Sequence, residues 1–428
     1  MVGEWIKCNL ADACCSIDYG LTASASNHDV GPRFLRITDI VSGHIDWNAV
    51  PHIAADTETT KKYQLHHGDI VLARTGASTG ASAYVKDPPE AVFASYLVRI
   101  KARPEFDSRF LAYYLKSNDF WEFIYGVLGD KCAQPNASAS TMTKAPLRAP
   151  REKKDQQAIA HILGTLDDKI ELNRRMNRAL EEMARAIFKS WFVDFDPVRA
   201  KMEGRWRKGE SLPGLPADLW DVFPGRLVSS ELGEIPEGWE VGVLGDIIEI
   251  HDSKRIPLSS RERAKRQGSY RYYGAAGIVD YVDDFLFDGI HVLVGEDGSV
   301  VTDVGNPVVQ YVWGKFWVNN HAHVLKASSG ISDEHLLLLL QQVYVVPFVT
   351  GAVQPKLSQT NMTAIPAVRA KPEVNVAFNK LIEPIFAKVR ALHDEVSLLA
   401  AIRDTLLPKL LSGELQVPDA ERIAGRYA

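Results

Sequence analysis

The chain has 428 residues, of which 46% are hydrophobic and 24% charged, and its formal net charge at pH 7 is −5. This length exceeds what one hydrophobic core usually supports, so we expect a globular protein of two or more domains. No apolar run reaches the roughly 18 residues of a membrane span, no signal peptide is evident, and the net charge argues against nonspecific binding to nucleic acid. These observations predict a cytoplasmic location.

Residues 1–150 are predicted to form a mixed α/β domain. Asp69–Ala73 and Ser95–Ile100 have the composition of β-strands, whereas Phe106–Phe123 has that of a helix. Short turns separate these runs throughout the segment, as expected for a compact domain.

Residues 151–195 predict one long helix. Their apolar and amide side chains recur at steps of 3 and 4 and form a heptad seam: Ile159, Leu163, Leu166, Ile170, Asn173, Asn177, Leu180, Ala184, Ile187 and Trp191. A coiled-coil helix and a helix packed on a globular core both fit any single stretch. The length of the seam, about five heptads, favours the coiled coil.

A second domain is predicted after a connector. Residues 196–238 are rich in proline, glycine and tryptophan, which is typical of a linker or loop. Residues 239–370 return to β-like runs such as His291–Val294 and Pro307–Trp313. This domain has a basic stretch at 254–271, with seven Lys and Arg residues against one acidic residue, which suggests an anion contact.

Residues 371–415 predict a second long helix, and residues 416–428 a tail. The seam of this helix consists of Phe378, Ile382, Ile385, Val389, Leu392, Val396, Leu399, Leu406 and Leu410. Arg403 is its polar break, and Pro384 and Pro408 should kink or interrupt it, because proline removes a backbone donor. The two seams can pair, and the two helices could then lie antiparallel.

The chain also repeats itself at long range. At an offset of 220, the following pairs recur: Gln134–Pro135 as Gln354–Pro355, Met142–Thr143 as Met362–Thr363, Pro146 as Pro366, Ile162 as Ile382, Leu172 as Leu392 and Lys189 as Lys409. At an offset of 234, Trp5, Leu10 and Asp12 return as Trp239, Leu244 and Asp246. The predicted fold class is therefore α+β, with two mixed α/β domains separated by two long antiparallel coiled-coil helices. Such a duplication implies pseudo-twofold internal symmetry and a bipartite partner.

Few residue groupings suggest catalysis. Asp87–Glu90 resembles the D-P-P-aromatic motif of amino-methyltransferases but has a glutamate in place of the aromatic residue. The glycine-rich loop Gly76–Gly80 lacks the lysine of a P-loop. His321 and His323 could be two metal ligands, although hydrogen-bonded roles are more common, and the cysteines, which include Cys132, form no C-x-x-C pair. We expect no catalytic residue and no bound metal, and thus a recognition subunit.

The remaining constellation combines basic residues with aromatic and amide side chains. Arg and Lys suit guanine and phosphate, whereas Asn and Gln suit the adenine edge in the major groove. The candidates in the second domain are Lys254, Arg255, Arg261, Arg263, Arg271, Tyr272, Tyr273, Asn319, His321, Gln354 and Lys356. Those in the first domain are Arg33, Arg36, Lys61, Lys62, Arg74 and Thr75, together with Gln134. Any one of them, taken alone, is more often a solvated surface residue, but as a group they favour contact with DNA.

Several segments resemble type I restriction–modification specificity subunits. Ile162–Asn177 and Ala186–Phe195 are similar to the central conserved helical region of that family, and Leu406–Leu415 to its C-terminal conserved region. Tyr272–Gly277 and Val318–His323 resemble one class of its target-recognition domains. The similarity extends over nearly the whole chain.

The resemblance implies a non-catalytic DNA specificity subunit whose two target-recognition domains each read one half of a bipartite site. Its helices would set the gap and dock two methyltransferase subunits for adenine methylation, which recruit restriction subunits for cleavage. This chain would bind no cofactor, because S-adenosylmethionine belongs to the methyltransferase subunits and ATP with Mg to the restriction subunits. The expected spacer and partner-binding positions are Leu166, Ile170, Leu180, Ile187, Trp191, Val389, Leu392, Val396, Leu399 and Leu406. The first domain lacks the Tyr-Tyr-Gly and Asn-Asn-His patterns, so we expect it to read an unrelated half-site.

Two other functions stay open at this point. A self-sufficient adenine methyltransferase–specificity fusion would bind S-adenosylmethionine, although the chain lacks an evident cofactor loop. A coiled-coil adaptor without DNA contacts would be indifferent to neutralisation of Arg255, Arg261 and Arg263.

Overall fold

The computed structural model describes residues 4–41, 43–129, 136–351 and 353–426, so Gln134, Pro135 and Cys132 lie outside the described residues. It divides into two compact units. Unit 1 comprises residues 1–173 and 395–428, and unit 2 comprises residues 174–394. Within the described ranges, no helix has the length and apolar character needed to span a membrane.

The N-terminal part of unit 1 is a mixed α/β fold. Its strands are β1 (Trp5–Asn9), β2 (Cys14–Tyr19), β3 (Arg33–Leu35), β4 (Ile70–Ala73), β5 (Ser82–Tyr84), β6 (Ala91–Phe93), β7 (Leu97–Ala102) and β8 (Pro146–Pro150). Its helices are α1 (Thr57–Tyr63), α2 (Ser108–Tyr114), α3 (Asn118–Leu128) and α4 (Ala139–Met142). An antiparallel sheet of order β2-β7-β4-β5 lies beside the parallel pair β3–β6 and the antiparallel pair β1–β8.

The predicted strands at 69–73 and 95–100 correspond to β4 and β7, but the single helix predicted at 106–123 is wrong. It is divided into α2 and α3 by Ser117. The Ser117 hydroxyl donates to the Tyr114 carbonyl oxygen at 2.6 Å and accepts from Phe120 N. This serine therefore ends one helix and caps the next, which the hydrophobic pattern alone does not reveal.

Helix α5 (Lys153–Phe192) starts in unit 1 and ends in unit 2. Its predicted seam is buried in unit 1 from Ile159 to Ile170. Near its C-terminal end the buried stripe passes through Ala184, Phe188 and Trp191, so Phe188 replaces the predicted Ile187, which is half-buried. A straight helix has 3.6 residues per turn, and a strict 3.5-residue seam drifts around it.

Unit 2 repeats the strand order of unit 1. Its strands are β9 (Leu227–Ser230), β10 (Gly233–Pro236), β11 (Glu240–Val243), β12 (Ile248–Ile250), β13 (Gln267–Tyr273), β14 (Ile278–Val282), β15 (His291–Gly295), β16 (Val309–Val312), β17 (Phe316–Val318), β18 (Ala322–Ala327) and β19 (Pro366–Arg369). Its short helices are α6 (Asp196–Met202), α7 (Ser260–Lys265), α8 (Asp333–Leu340) and α9 (Gln359–Thr363). The order β12-β18-β15-β16 matches β2-β7-β4-β5, the parallel pair β13–β17 matches β3–β6, and β11–β19 matches β1–β8.

Helix α10 (Pro372–Ser412) runs from unit 2 into unit 1, where α11 (Val417–Ala424) follows. Of the two predicted effects of Pro384 and Pro408, a kink or an interruption, the interruption is wrong, because the helix continues through both residues. Each proline lies on the exposed side, while Ile382, Phe386 and Leu410 on the opposite side are buried and hold the helix.

Within each unit, one half of α5 packs against one half of α10. In unit 1, Leu166 and Leu406 belong to one hydrophobic core. Arg403, the polar break, pairs with Asp167 at 2.7 Å. Burial alone would raise the pKa of Asp167, but Lys116 and Arg403 lower it, so this carboxylate stays charged beneath the surface. In unit 2, Phe188 and Trp191 of α5 and Phe378 of α10 belong to one hydrophobic core.

Candidate DNA interface

Four loops of unit 2 meet at one end of its four-stranded sheet. Glu296 N donates to the His321 carbonyl oxygen at 2.8 Å, and Gly298 N to the Pro355 carbonyl oxygen at 3.1 Å. The loop between β13 and β14 joins them through Gln310, whose side-chain amide donates to the carbonyl oxygens of that loop. We call residues 274–277, 296–299, 319–321 and 353–357 the unit 2 loop cluster.

Four predicted contact residues lie in this cluster, namely Asn319, His321, Gln354 and Lys356. The His321 side chain is about half exposed, and its Nδ1 lies 2.5 Å from a carboxylate oxygen of Asp297. Lys356 is equally exposed, with its Nζ 3.4 Å from Glu296. Asn319 is buried and accepts from His321 N at 2.8 Å, so it shapes the loop instead of facing solvent. The cluster thus presents the side chains of His321, Lys356 and Gln354 on one edge.

An ionic network lies behind the cluster. His323 is fully buried, with Nδ1 2.6 Å from Asp252 and Nε2 2.7 Å from the Leu357 carbonyl oxygen. The two ring nitrogens thus face a carboxylate and a carbonyl oxygen, both of which are hydrogen-bond acceptors. Burial alone would raise the pKa of Asp252, but hydrogen bonds, foremost that of His323, lower it. The network ties β18 to the loop before α9.

Asp252, Glu296 and His323 offer potential metal-ligand atoms that all lie within 4.8 Å of one another. Their atoms are already used, however. Arg255 lies 2.8 Å from Glu296 and 3.3 Å from Asp252, so its guanidinium is shared by these two carboxylates. We therefore assign this group to the support of the loops. His321 and His323 contact different carboxylates and do not form the shared ligand pair considered from the sequence.

Three further predicted contacts in unit 2 are packing residues. Arg263 is paired with Asp280 at 2.9 Å and donates to the Leu258 carbonyl oxygen at 2.7 Å. Tyr272 is 1% exposed, and its hydroxyl is bonded to the Leu258 backbone. Tyr273 is buried in a hydrophobic cluster. These side chains, like Arg255, are engaged within the domain, so they are weaker candidates for DNA contact, and their role in DNA binding stays a prediction.

The other basic candidates of unit 2 are accessible to different degrees. Lys254 and Arg261 are exposed, whereas Arg271 is half-buried and lies over the Trp313 ring at 5.8 Å. The basic stretch 254–271 therefore mixes cations held inside the domain with exposed ones, and its charge count overstates the exposed positive charge.

Replacement of Arg255 by alanine should lower the free energy of unfolding of unit 2 by about 1.5–3 kcal/mol, because it removes the guanidinium shared by two partly buried carboxylates and leaves Asp252 with His323 and Glu296 with Lys356. Arg261→Ala, which removes an exposed cation of the same stretch, should change it by no more than about 0.5 kcal/mol. Urea denaturation followed by circular dichroism measures both. Equal stability of the two variants would show that the network does not support the fold.

In unit 1, Arg33 and Arg36 serve the local structure. Arg33 donates to the Val50 carbonyl oxygen at 2.6 Å. Arg36 forms two hydrogen bonds to the Asp39 carboxylate, at 3.0 and 2.9 Å. Both guanidinium groups are already engaged within the domain, so they are weaker candidates for DNA contact than the sequence suggested.

The remaining unit 1 candidates are more accessible. Lys61 and Lys62 are exposed on α1. Arg74 follows β4 and lies over the Tyr19 ring at 4.9 Å, and Thr75 beside it is half-buried. The structure brings Arg74 and Thr75 together at the end of the sheet, whereas the two lysines lie on a separate helix.

The predicted helix positions are mostly interior. Leu166, Ile170, Leu399 and Leu406 are buried in unit 1, and Trp191, Val389 and Leu392 in unit 2. Leu180, Ile187 and Val396 are half-buried. Such side chains pack within the chain, so these positions suit a spacer better than a direct partner contact.

Sequence reasoning missed the acidic residues of the site. Asp252, Glu296 and Asp297 position His321, His323 and the cations around them. Basic and amide residues were predicted instead, because these match phosphates and base edges. The only available signal was the Glu296-Asp297-Gly298 turn directly after a predicted strand.

Two mixed α/β units, each connected to long helices and carrying polar loops at one end of its sheet, define a two-domain recognition protein. The model of the family described as the type I restriction modification DNA specificity domain matches residues 31–182 and 236–366. This match extends over more than half of the chain, which therefore belongs to the type I restriction–modification specificity subunits.

Individual relatives agree with this assignment. The chain is 27% identical over 332 residues to the type I restriction enzyme MjaIX specificity subunit of Methanocaldococcus jannaschii, covering 73% of this chain and 70% of the relative. It is 26% identical over 364 residues to the HindI specificity subunit of Haemophilus influenzae, covering 72% and 77%. The solved type I restriction-modification S subunit from M. genitalium has a similar fold, with a TM-score of 0.58 at 17% identity over 95% of this chain and 96% of that one.

Proposed function

We propose that this specificity subunit reads a bipartite DNA site, with the domain of each unit reading one half. The observation that carries the proposal is the repetition of one domain. The family model matches once over residues 31–182, most of which belong to unit 1, and once over residues 236–366 of unit 2, and the two domains have the same strand order. Two domains that share one fold but differ in their loops suit the recognition of two unrelated half-sites separated by a gap.

The long helices are proposed to act as an antiparallel coiled-coil spacer with pseudo-twofold symmetry. Two ion pairs of unit 1 support the antiparallel direction. Asp167 of α5 pairs with Arg403 of α10, and Lys169, which follows Asp167 in the sequence, pairs with Glu395, which precedes Arg403. A helix of 40 residues spans about 60 Å at roughly 1.5 Å per residue. A rod of this kind would fix the spacing of the two half-sites.

The helices are also proposed to dock two methyltransferase subunits, which methylate adenine and recruit the restriction subunits. Exposed apolar side chains favour this. Leu172 and Leu398 in unit 1 and Met176 and Met183 in unit 2 are each at least 37% exposed on helices whose other faces are buried. In this proposal the chain itself is non-catalytic and binds no cofactor. S-adenosylmethionine, ATP and Mg belong to the other subunits.

Exchange of residues 239–370 for the corresponding domain of another specificity subunit tests the proposal. The complex, assembled in a host without other adenine methyltransferases, should methylate a site in which one half is new and the other is unchanged. Sequencing of methylated adenines gives both halves in one measurement. A change in both halves would contradict modular reading, and methylation by the isolated chain would contradict its non-catalytic role.

A further inference from the structure

The backbone hydrogen bonds of the two units allow their loops to be compared position by position, including segments in which the two units share no sequence identity. In unit 1, Ala73 of β4 pairs with Leu97 of β7; in unit 2, Gly295 of β15 pairs with Ala322 of β18. One step beyond these pairs, Arg74 N donates to the Tyr96 carbonyl oxygen at 3.0 Å, as Glu296 N does to that of His321 at 2.8 Å. Tyr96 therefore occupies in unit 1 the position of His321 in unit 2.

A second, independent strand pair gives the same correspondence. The parallel strands β3 and β6 of unit 1 are followed by a bond from Ala94 N to the Leu35 carbonyl oxygen at 2.9 Å. Strands β13 and β17 of unit 2 are followed by a bond from Asn319 N to the Tyr273 carbonyl oxygen at 3.1 Å. Ala94-Ser95-Tyr96 is thus the counterpart of Asn319-Asn320-His321, although the two segments share no residue.

The loop before α4 corresponds in the same way to the loop before α9. Thr75 forms a backbone bridge with Asn136, and Asp297 forms one with Lys356. Ala137 N donates to the Arg74 carbonyl oxygen at 2.9 Å, and Leu357 N donates to that of Glu296 at the same distance. Asn136 is therefore the counterpart of Lys356, and Thr75 that of Asp297.

The surface properties of these positions fit a reading edge. Tyr96 is 59% exposed, although tyrosine usually buries its ring. Asn136 is exposed on the neighbouring loop. Arg74 is hydrogen-bonded to both loops through its backbone, because its N–H donates to the Tyr96 carbonyl oxygen and its carbonyl oxygen accepts from Ala137 N. An exposed aromatic ring, an exposed amide and a guanidinium group at one end of a sheet form a combination that suits base edges and phosphates.

We propose that Tyr96 and Asn136 are specificity-determining residues of unit 1, equivalent in position to His321 and Lys356 of unit 2. Asn136 takes an adenine, because its amide offers one donor and one acceptor that match adenine N7 and N6. Lys356, which only donates, takes guanine O6 or N7. Tyr96 supplies an apolar contact beside the adenine. This inference rests on the proposed function and adds the residues and the base class of the first half-site.

The test is the methylated sequence produced by the assembled complex with single variants of this chain. Tyr96→Ala and Asn136→Ala should each make at least one position of the first half-site degenerate, with discrimination there falling about ten- to a hundred-fold, while the second half is unchanged. Asn136→Gln, which keeps an amide, should retain adenine at that position, and Asn136→Lys should not. His321→Ala and Lys356→Ala should relax only the second half.

Tyr125→Ala is the matched control, because Tyr125 is 66% exposed in unit 1 but lies on α3 and on none of the corresponding loops. It should leave both halves unchanged. If Tyr96→Ala and Asn136→Ala lower the amount of methylation without changing its sequence, or change neither, the inference is overturned. In that case the bipartite site and the domain exchange would still support the proposed function, so the two failures are distinguishable.

Discussion

Leu392→Asp is expected to lower the free energy of unfolding of unit 2 by roughly 3–5 kcal/mol and to release the partner subunits. Leu392 is 2% exposed on α10. A carboxylate introduced at this position has to be buried without a partner or must separate the helix from its neighbours, and either outcome is costly. Urea denaturation measures the first effect, and co-purification with an affinity-tagged methyltransferase subunit measures the second.

Leu398→Asp is the matched control for stability. The same substitution is made on the same helix, but Leu398 is 48% exposed, and the new charge remains in water. Its effect on the free energy of unfolding should stay within about 0.5 kcal/mol. A normal unfolding midpoint together with intact assembly in Leu392→Asp would show that this residue is not part of an essential helix seam.

Unit 2 is expected to lose stability as the pH falls below 6.5, because of His335. This residue of α8 is enclosed by the rings of Phe188, Phe192 and Phe378, and burial lowers its pKa from 6.5 to about 3. Its Nδ1 has no hydrogen-bond partner among the described residues. The folded state therefore holds the neutral ring, while the unfolded chain takes up a proton below pH 6.5.

Because the unfolded chain binds this proton and the folded chain does not, the free energy of unfolding decreases as the pH falls. The contribution of the neutral His335 ring to the free energy of unfolding is fully present above pH 6.5 and is lost progressively between pH 6.5 and about 3. The total loss is on the order of 5 kcal/mol. At pH 5 it should amount to a loss of about 2 kcal/mol relative to pH 7. His335→Leu removes the titrating group, and its free energy of unfolding should fall less steeply with pH than that of the unchanged chain. Equal slopes would contradict a buried neutral ring.

The predicted elements show where pattern and packing agree. The seams at 151–195 and 371–415 correspond to α5 and α10, because a long apolar periodicity has few other solutions. The division of one predicted helix at Ser117 and the continuation of α10 through two prolines were missed, because both depend on individual hydrogen bonds and on neighbouring buried residues. Local preference was overridden by tertiary context in each case.

For the candidate site, residue type alone did not separate exposed side chains from interior ones. His321, Gln354 and Lys356 lie in one loop cluster, while Arg255 and Tyr272 from the same list are held in the interior. The sequence does not show which arginine lies next to a carboxylate in the folded protein. That depends on which loops the sheet brings together.

The sequence by itself determined the family, the two long helices and the duplication, since these are carried by repeated local patterns and by motifs that survive divergence. Only the tertiary structure decided which residues are equivalent where the two domains share no sequence identity. Tyr96 and His321 share no chemistry, and their segments share no identity, yet the same backbone hydrogen bonds place both. Backbone pairing depends on strand register and not on side-chain identity, so it preserves a correspondence that divergence of the reading residues has removed from the sequence.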